Sequence, residues 1–230
     1  MKTIGLIGGL SWESSIEYYR IINEEVKKKL EGLHCAKSVM YSFDFAEIVS
    51  LQHQQRWDEA TALMIDAARF VERGGADLLL ICTNTMHKMA DQVQESVNIP
   101  LLHIADVTAS KIVAQGLKTV GLLGTAFTME EDFYTGRLAK HHGLEVLVPD
   151  AEQRKTVHGV IYNELCKGII NPSSKEAYKR IVETLVARGA EAIILGCTEI
   201  MLLLKQEDSS VPLFDTTTLH AQAAVTYALQ

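Results

Sequence analysis

The sequence predicts an α/β fold made of two similar halves, each a four-stranded parallel sheet flanked by helices. Short runs of Leu, Ile and Val alternate with longer segments of helical periodicity, as in successive βα units. Two of these runs, DLLLIC and AIILGC, lack alternating polar residues, which is typical of strands covered on both faces. Segments of the first half also recur in the second half in the same order, which indicates an internal duplication.

Three pairs of segments carry the duplication. The pairs are TIGLIGG (3–9) with TVGLLGT (119–125), GADLLLICTN (75–84) with GAEAIILGCT (189–198), and IPLLHIAD (from 99) with VPLFDTTT (from 211). The second pair aligns without a gap. Because all three keep their order, we expect two related sheets rather than one continuous sheet.

Strands and helices are expected to alternate along the chain. The expected strands are 2–8, 38–43, 76–82 and 100–104, then 118–124, 144–148, 190–196 and 212–215. The expected helices are 14–30, 58–73, 86–96, 108–115, 129–142, 174–188 and 219–229. We expect the halves to be 1–106 and 116–215, with a C-terminal helix in 216–230 through which the chain can return to the first half.

Composition excludes several classes of function. The 230 residues are 47% hydrophobic and 22% charged, which is ordinary for a globular protein. A net charge of -7 offers no basic surface for nucleic acid. No run of 18 apolar residues could span a membrane, and the glycine-broken N-terminus does not resemble a secretory signal. We therefore expect a soluble, cytoplasmic protein with neither a membrane nor a nucleic acid as partner.

Unusual residues follow the first strand of each half, at the edge where open parallel sheets bind ligands. The first half has GGLSW at 8–12, which lets backbone amides approach a ligand, although the glycines could simply ease a turn. Its G-x-x-G-G spacing is not the dinucleotide fingerprint, so we expect no nucleotide cofactor. The second half has GTAFT at 124–128, with two hydroxyls in place of the flexible glycines.

The third strand of each half ends in CTNT (82–85) or GCTE (196–199), and the repeat places Thr83 opposite Cys197. Helix capping alone would explain the hydroxyl residues, but paired positions favour a shared site. A cysteine before a helix N-terminus has a lowered pKa, so we expect a Cys197 thiolate that acts as a base. Cys82 precedes Thr83 and is expected to be a buried apolar residue pointing away from the site.

Other polar residues near these turns have more ordinary explanations. The four cysteines have no paired spacing, so we expect no disulfide framework. Cys82, His87 and Cys197 lack compact ligand spacing, so we expect no metal site. His87 is interpreted as an orienting or core histidine rather than a base. Glu199 could contact a substrate ammonium, but a helix N-terminal role is preferred.

Several motifs together resemble those of the pyridoxal-independent aspartate/glutamate racemases. They are IGLIGGLSWES at the N-terminus, NT-x-H, LLGT-x-x-T, IYNELCKG at 161–168 and RGAEAIILGCTE. The resemblance covers essentially the whole chain. It implies two pseudo-symmetric α/β domains, an active site in the cleft between them, and one catalytic cysteine from each domain on opposite faces of the substrate α-carbon. It also implies a homodimer and no cofactor.

Carried onto this sequence, the resemblance makes Thr83 and Cys197 the catalytic pair, with threonine in place of the first cysteine. It implies that the second-half cysteine acts on the L-enantiomer and that Lys167 pairs with the side-chain carboxylate of an acidic substrate. An equally good reading makes Lys167 a solvated helix end. The expected substrate-binding residues are Leu10, Ser11, Gln52, Asn84, Thr85, Thr125, Thr128, Lys167 and Thr198.

The chemistry of the residues agrees with racemisation. The α-proton of an amino acid is weakly acidic, so without pyridoxal the carbanion needs oriented amides, hydroxyls and a cation around its carboxylates. Two other functions remain open. A decarboxylase or isomerase with a single cysteine needs protonation from one side only, and a catalytically silent protein could simply bind an amino acid.

Overall fold

The computed structural model describes residues 1–230 and contains two compact units. The first unit comprises Met1–Ile104 together with His220–Gln230, and the second comprises Ala105–Leu219. No helix combines the length and apolar character needed to cross a bilayer. The α/β class predicted from the sequence is confirmed, with parallel strands and flanking helices in both units.

The first unit is built on a three-stranded parallel sheet in the order β2-β1-β3. Its elements are β1 (Ile4–Gly8), α1 (Trp12–Leu30), β2 (Ser38–Ser42), α2 (Phe45–His53), α3 (Trp57–Arg73), β3 (Leu78–Ile81), a 3-10 helix (Thr85–Met89) and α4 (Ala90–Glu95). Every residue of β1 and β3 is buried, as the unbroken apolar runs predict.

Helix α3 supplies one side of the first core. Its buried residues recur at helical spacing and form a single stripe: Ala60, Met64, Ala67, Ala68 and Val71. The stripe lies close to the sheet, because a Cβ added to Gly5 of β1 would lie 2.4 Å from Cγ1 of Val71. Glycine at that position therefore lets the helix approach the central strand.

The second unit has a four-stranded parallel sheet in the order β5-β4-β6-β7. Its elements are α5 (Ile104–Val113), β4 (Thr119–Gly124), α6 (Ala126–Glu130), α7 (Asp132–His142), β5 (Glu145–Leu147), α8 (Ala151–Asn163), a 3-10 helix (Leu165–Lys167), α9 (Pro172–Ala187), β6 (Ala192–Gly196), α10 (Ile200–Leu203), a 3-10 helix (Gln206–Asp208), β7 (Leu213–Asp215) and α11 (Thr216–Ala228). Helix α11 begins in this unit and ends in the first.

The expected fourth strand of the first half, 100–104, is wrong. Only an isolated parallel bridge joins Leu79 to Leu101. Pro100 has no N–H to donate to a ladder, and α5 already begins at Ile104, so the segment is too short to form a strand.

Four helical assignments also differ from the sequence prediction. Helices α2, α8 and α10 were not expected, and the single helix expected over 129–142 is broken at Glu131, which separates α6 from α7. Glu131 has extended backbone angles, with φ -97° and ψ 149°. The apolar periodicity continues across this break and therefore does not reveal it.

Candidate active site

The turn after β1 is shaped by a glycine that no other residue could replace. Gly9 has φ +69°, and a Cβ at this position would lie 2.2 Å from the carbonyl oxygen of Phe43. Ser11 caps α1 by accepting the Ser14 N–H at 3.3 Å. The Gly9 N–H donates to Ser15 Oγ at 2.8 Å, so it is not one of the free amides that the sequence suggested. Leu10 and Ser11 are both buried.

The turn after β3 separates a buried cysteine from a partly exposed threonine. Cys82 is fully buried, as predicted, and burial raises the pKa of its thiol. Its carbonyl accepts a hydrogen bond from Ser14 Oγ at 3.2 Å, which ties this turn to the first turn of α1. Thr83 is partly exposed, whereas Asn84 and Thr85 are buried beside it. Thr83 is therefore the more accessible side chain of this turn.

His87 holds the backbone of the Thr83 turn. Its Nε2 accepts the Ile104 N–H at 3.2 Å, so in the neutral ring the proton is on Nδ1. Nδ1 lies 2.7 Å from the Thr83 carbonyl oxygen and donates to it. The ring is buried and lies 4.5 Å from that of His103, centroid to centroid. This geometry supports the interpretation of His87 as an orienting residue, because both ring nitrogens are engaged in holding backbone.

Gln52 lies close to the same turn. It belongs to α2, has 2% of its surface exposed, and its Nε2 lies 3.2 Å from Sδ of Met86. The structure therefore brings Gln52 beside the 3-10 helix that follows Thr83. The sequence analysis did not predict α2 because this helix is short. Asp44 and Glu47 nevertheless give it the acidic start that is typical of a helix N-terminus.

In the second unit, the turns after β4 and β6 lie side by side. Gly124 pairs with Gly196 in the sheet, and a Cβ on Gly124 would lie 2.8 Å from the Gly196 carbonyl oxygen. Thr125 caps α6 by accepting the Thr128 N–H at 3.3 Å, and the two hydroxyl oxygens lie 3.2 Å apart. The sheet thus places the threonine turn directly beside Cys197, which follows Gly196.

Cys197 and Glu199 form a hydrogen-bonded pair. The Cys197 thiol donates to Glu199 Oε2 at 2.9 Å, and the Thr198 hydroxyl donates to the same oxygen at 3.0 Å. Cys197 has 8% of its surface exposed and Glu199 has 2%. The sequence analysis preferred a helix N-terminal role for Glu199. It did not predict the hydrogen bond from the Cys197 thiol, because the sequence alone does not reveal that contact.

The predicted lowering of the Cys197 pKa is wrong. Burial, followed by the negative charge of Glu199, raises the pKa of this thiol well above its ordinary value. Helix α10 after it has only four residues, and its N-cap residue is Glu199. A short helix behind a carboxylate offers little positive potential to a thiolate.

Further residues surround Cys197 that sequence reasoning did not select. Burial raises the pKa of the Tyr162 and Tyr178 phenols, and the thiolate form of Cys197 would raise both further. Thr216 donates from its hydroxyl to the Leu195 carbonyl at 2.8 Å, which braces the end of β6. Tyr162 belongs to the IYNELCKG motif, so the motif was the available signal for it.

Lys167 ends the short 3-10 helix after α8 and is exposed. That 3-10 helix contacts α10, which begins three residues after Cys197. Gly168 follows in the left-handed conformation, with φ 69°. The lysine is thus on an element adjoining the Cys197 turn, with its side chain at the surface. No cluster of three or more His, Cys, Asp or Glu side chains is arranged to hold a metal.

Comparison with solved structures defines the class of protein. A crystal structure of a candidate Asp/Glu racemase from Yersinia pestis is 53% identical, with a TM-score of 0.93 and 100% of both chains covered. An aspartate racemase homologue from Pyrococcus horikoshii is 37% identical, with a TM-score of 0.86 and 100% of both chains covered. The fold is therefore that of the Asp/Glu racemases.

The family follows from the sequence comparison. The model of the Asp/Glu/hydantoin racemase family matches residues 7–224, and the chain belongs to this family. A broad specificity amino-acid racemase from Bacillus subtilis is 28% identical over 171 residues, which cover 73% of this chain and 72% of that protein. Family membership supports amino-acid racemisation as the activity.

Proposed function

We propose that the protein racemises aspartate and glutamate without a cofactor, with Cys197 as the base toward the L-enantiomer and Thr83 as the proton donor on the opposite face. The observation that carries this proposal is the hydrogen bond from the Cys197 thiol to Glu199 Oε2, 2.9 Å long. It gives the one candidate nucleophilic thiol at a strand-end turn an adjacent acceptor for its proton.

In this proposal Glu199 accepts the proton that the Cys197 thiol, with its raised pKa, would otherwise retain. A thiol is a useful base only as the thiolate, and burial disfavours that form. In the proposed reaction the thiol proton moves to the Glu199 carboxylate as the substrate binds. The Cys197 thiolate then takes the α-proton of the L-amino acid. Glu199 is therefore a general base that acts through Cys197.

Thr83 makes the two faces chemically unequal. An aliphatic hydroxyl can deliver a proton to the carbanion, but its pKa is far too high for it to persist as an alkoxide near neutral pH. Thr83 is partly exposed, so solvent can restore the proton that it delivers. The proposal therefore assigns proton removal from the L-enantiomer to Cys197 and predicts poor proton removal from the D-enantiomer.

The strand-end turns of each unit offer donors that suit the carboxylates of the substrate. We assign Asn84, Thr85, Thr125, Thr128 and Thr198 to carboxylate binding, and Leu10, Ser11 and Gln52 to the walls of the same site. Hydroxyl and amide donors of this kind stabilise the charge that develops on a carboxylate when the α-proton leaves. Lys167, which ends an element adjoining the Cys197 turn, is assigned to the side-chain carboxylate of an acidic substrate.

The function is tested by incubating the L- and D-forms of aspartate, glutamate, alanine and serine with the enzyme in heavy water. Exchange at the α-carbon is followed by NMR and inversion by chiral chromatography. Exchange and inversion of the two acidic amino acids are expected. Loss of carbon dioxide would instead identify a decarboxylase. Binding without exchange would identify a silent amino-acid binder, and preference for the neutral substrates would contradict the assigned specificity.

A further inference from the structure

One face of α8 contacts both ends of α6, the short helix that Thr125 caps. At the start of α6, the Ala126 N–H donates to Nδ1 of His158 at 3.1 Å. At the other end, Glu130 Oε1 accepts from Nε of Arg154 at 2.7 Å. Arg154 and His158 are separated by about one helical turn, so their side chains lie on the same face of α8. Helix α6 is therefore attached to α8 at both of its ends.

The hydrogen bond to His158 supplies support that α6 cannot supply by itself. The first N–H groups of a helix have no partners inside the helix, and α6 has only five residues, too few to be stable alone. Thr125 accepts the Thr128 N–H at 3.3 Å, and His158 accepts that of Ala126 at 3.1 Å. The two threonine hydroxyls, whose oxygens lie 3.2 Å apart, therefore belong to a turn that is held from outside.

Two aromatic side chains fix the imidazole of His158. The ring centroid lies 4.8 Å from that of Tyr162, one turn further along α8, and 6.3 Å from that of Phe127 on α6. Burial raises the pKa of the Tyr162 phenol, and a thiolate at Cys197 would raise it further, so this phenol is near the Cys197 thiol. The face of α8 that carries His158 thus adjoins both the Thr125 turn and the Cys197 turn.

We propose that His158 is a positioning residue for substrate binding, which holds the Thr125 and Thr128 hydroxyls in place for a substrate carboxylate by accepting the Ala126 N–H. It acts through the turn and does not itself touch the substrate. Because Nδ1 is the acceptor, the neutral ring carries its proton on Nε2. The amide oxygen of an asparagine can take the place of Nδ1. The inference rests on the proposed function, which assigns both threonines to carboxylate binding.

Calorimetric titration with L-aspartate tests this role without depending on turnover, because every protein in the series, including the parent, carries Cys197→Ala. His158→Leu fills the space of the ring but removes the acceptor, and it is expected to raise Kd by roughly tenfold, the value of one hydrogen bond. His158→Gln places its amide beyond the Nδ1 position and is expected to weaken binding similarly. His158→Asn is expected to retain the affinity of the parent. His141→Leu, at the exposed end of α7, is the control and is expected to leave Kd unchanged.

A double variant tests whether His158 acts through the turn. Thr125→Ala is expected to raise Kd, and His158→Leu added to it is expected to cause less further loss than it causes alone, because one of the hydroxyls that His158 positions is already gone. Circular dichroism checks that each variant retains its fold. If His158→Leu does not fold, the comparison of His158→Gln with His158→Asn still decides the question.

Different results would overturn the positioning role and the proposed racemisation. An unchanged Kd in His158→Leu and His158→Gln would overturn the role of His158, as would equal weakening in His158→Asn or strictly additive losses with Thr125→Ala. The expected pattern of affinities without α-hydrogen exchange by the protein that retains Cys197 would contradict racemisation alone. A parent protein that does not bind L-aspartate would overturn both.

Discussion

Glu199 Oε2 accepts the Cys197 thiol at 2.9 Å in a site where both side chains are buried. If this carboxylate takes the thiol proton, Glu199→Gln is expected to lower kcat for L-aspartate by roughly 10²–10⁴-fold, the usual contribution of a general base. The same change is expected to lower the pKa of Cys197, because it removes the negative charge that raises it. Steady-state kinetics and the pH dependence of thiol alkylation measure the two effects.

This pair of effects distinguishes a proton acceptor from a structural residue. Glu183→Gln, an exposed carboxylate on α9 of the same unit, is the control and is expected to change neither quantity. A Glu199→Gln enzyme with a lower thiol pKa and undiminished kcat would remove Glu199 from the reaction.

Lys167→Ala is expected to raise KM for aspartate and glutamate by roughly tenfold or more, because one charged hydrogen bond to the second carboxylate is lost. Alanine and serine have no second carboxylate, so their KM values are expected to change little. Lys155→Ala is a suitable control, since this lysine is exposed on α8 of the same unit. Equal losses for all four substrates would contradict the assigned role.

The alternation of strands and helices, and all seven strands of the structure, could be predicted from the sequence. Both follow from unbroken apolar runs and from the internal repeat, which are visible in the local sequence. It did not reveal that the segment at Pro100 is too short to form a strand beside α5. The pKa direction at Cys197 could not be predicted either. It depends on burial and on the length of α10, neither of which is evident from GCTE alone.

His220 is expected to make the stability of the protein depend on pH. Its Nδ1 accepts from the Tyr18 hydroxyl and its Nε2 donates to the Leu102 carbonyl, each at 2.8 Å. Burial lowers its pKa from 6.5 to about 4, against the opposing effect of the Leu102 hydrogen bond. Between these pH values the unfolded chain binds a proton that the folded chain does not, so stability is full above pH 6.5 and falls as the pH falls toward 4.

The expected contribution of His220 is about 2 kcal/mol between pH 7 and pH 5. Urea unfolding of wild type and His220→Gln at both pH values measures it, and the variant is expected to lose less stability on acidification. His141→Gln, on the exposed end of α7, is the control and is expected to behave as wild type. An identical pH dependence in wild type and His220→Gln would show that this histidine is not the source.

Thr83→Cys is expected to raise turnover in both directions and to restore proton removal from D-aspartate, because a thiol can ionise where a hydroxyl cannot. Thr83→Ser keeps a hydroxyl, so its rate of proton removal from D-aspartate is expected to remain low. Initial rates of inversion from each pure enantiomer measure both variants. A Thr83→Cys enzyme slower in both directions would contradict the assignment of Thr83.

The most direct test of the account is α-hydrogen exchange of L-aspartate in heavy water, compared with its rate of inversion. A Cys197 thiolate can return a solvent-derived deuteron to the face from which it removed the proton. Exchange of L-aspartate is therefore expected to be faster than inversion and faster than exchange of D-aspartate. Cys197→Ala is expected to abolish both exchange and inversion. Cys35→Ala, which removes an exposed thiol, is the control and is expected to leave both processes unchanged. Equal exchange of the two enantiomers, or exchange that persists in Cys197→Ala, would contradict the assignment of Cys197 as the base toward the L-enantiomer.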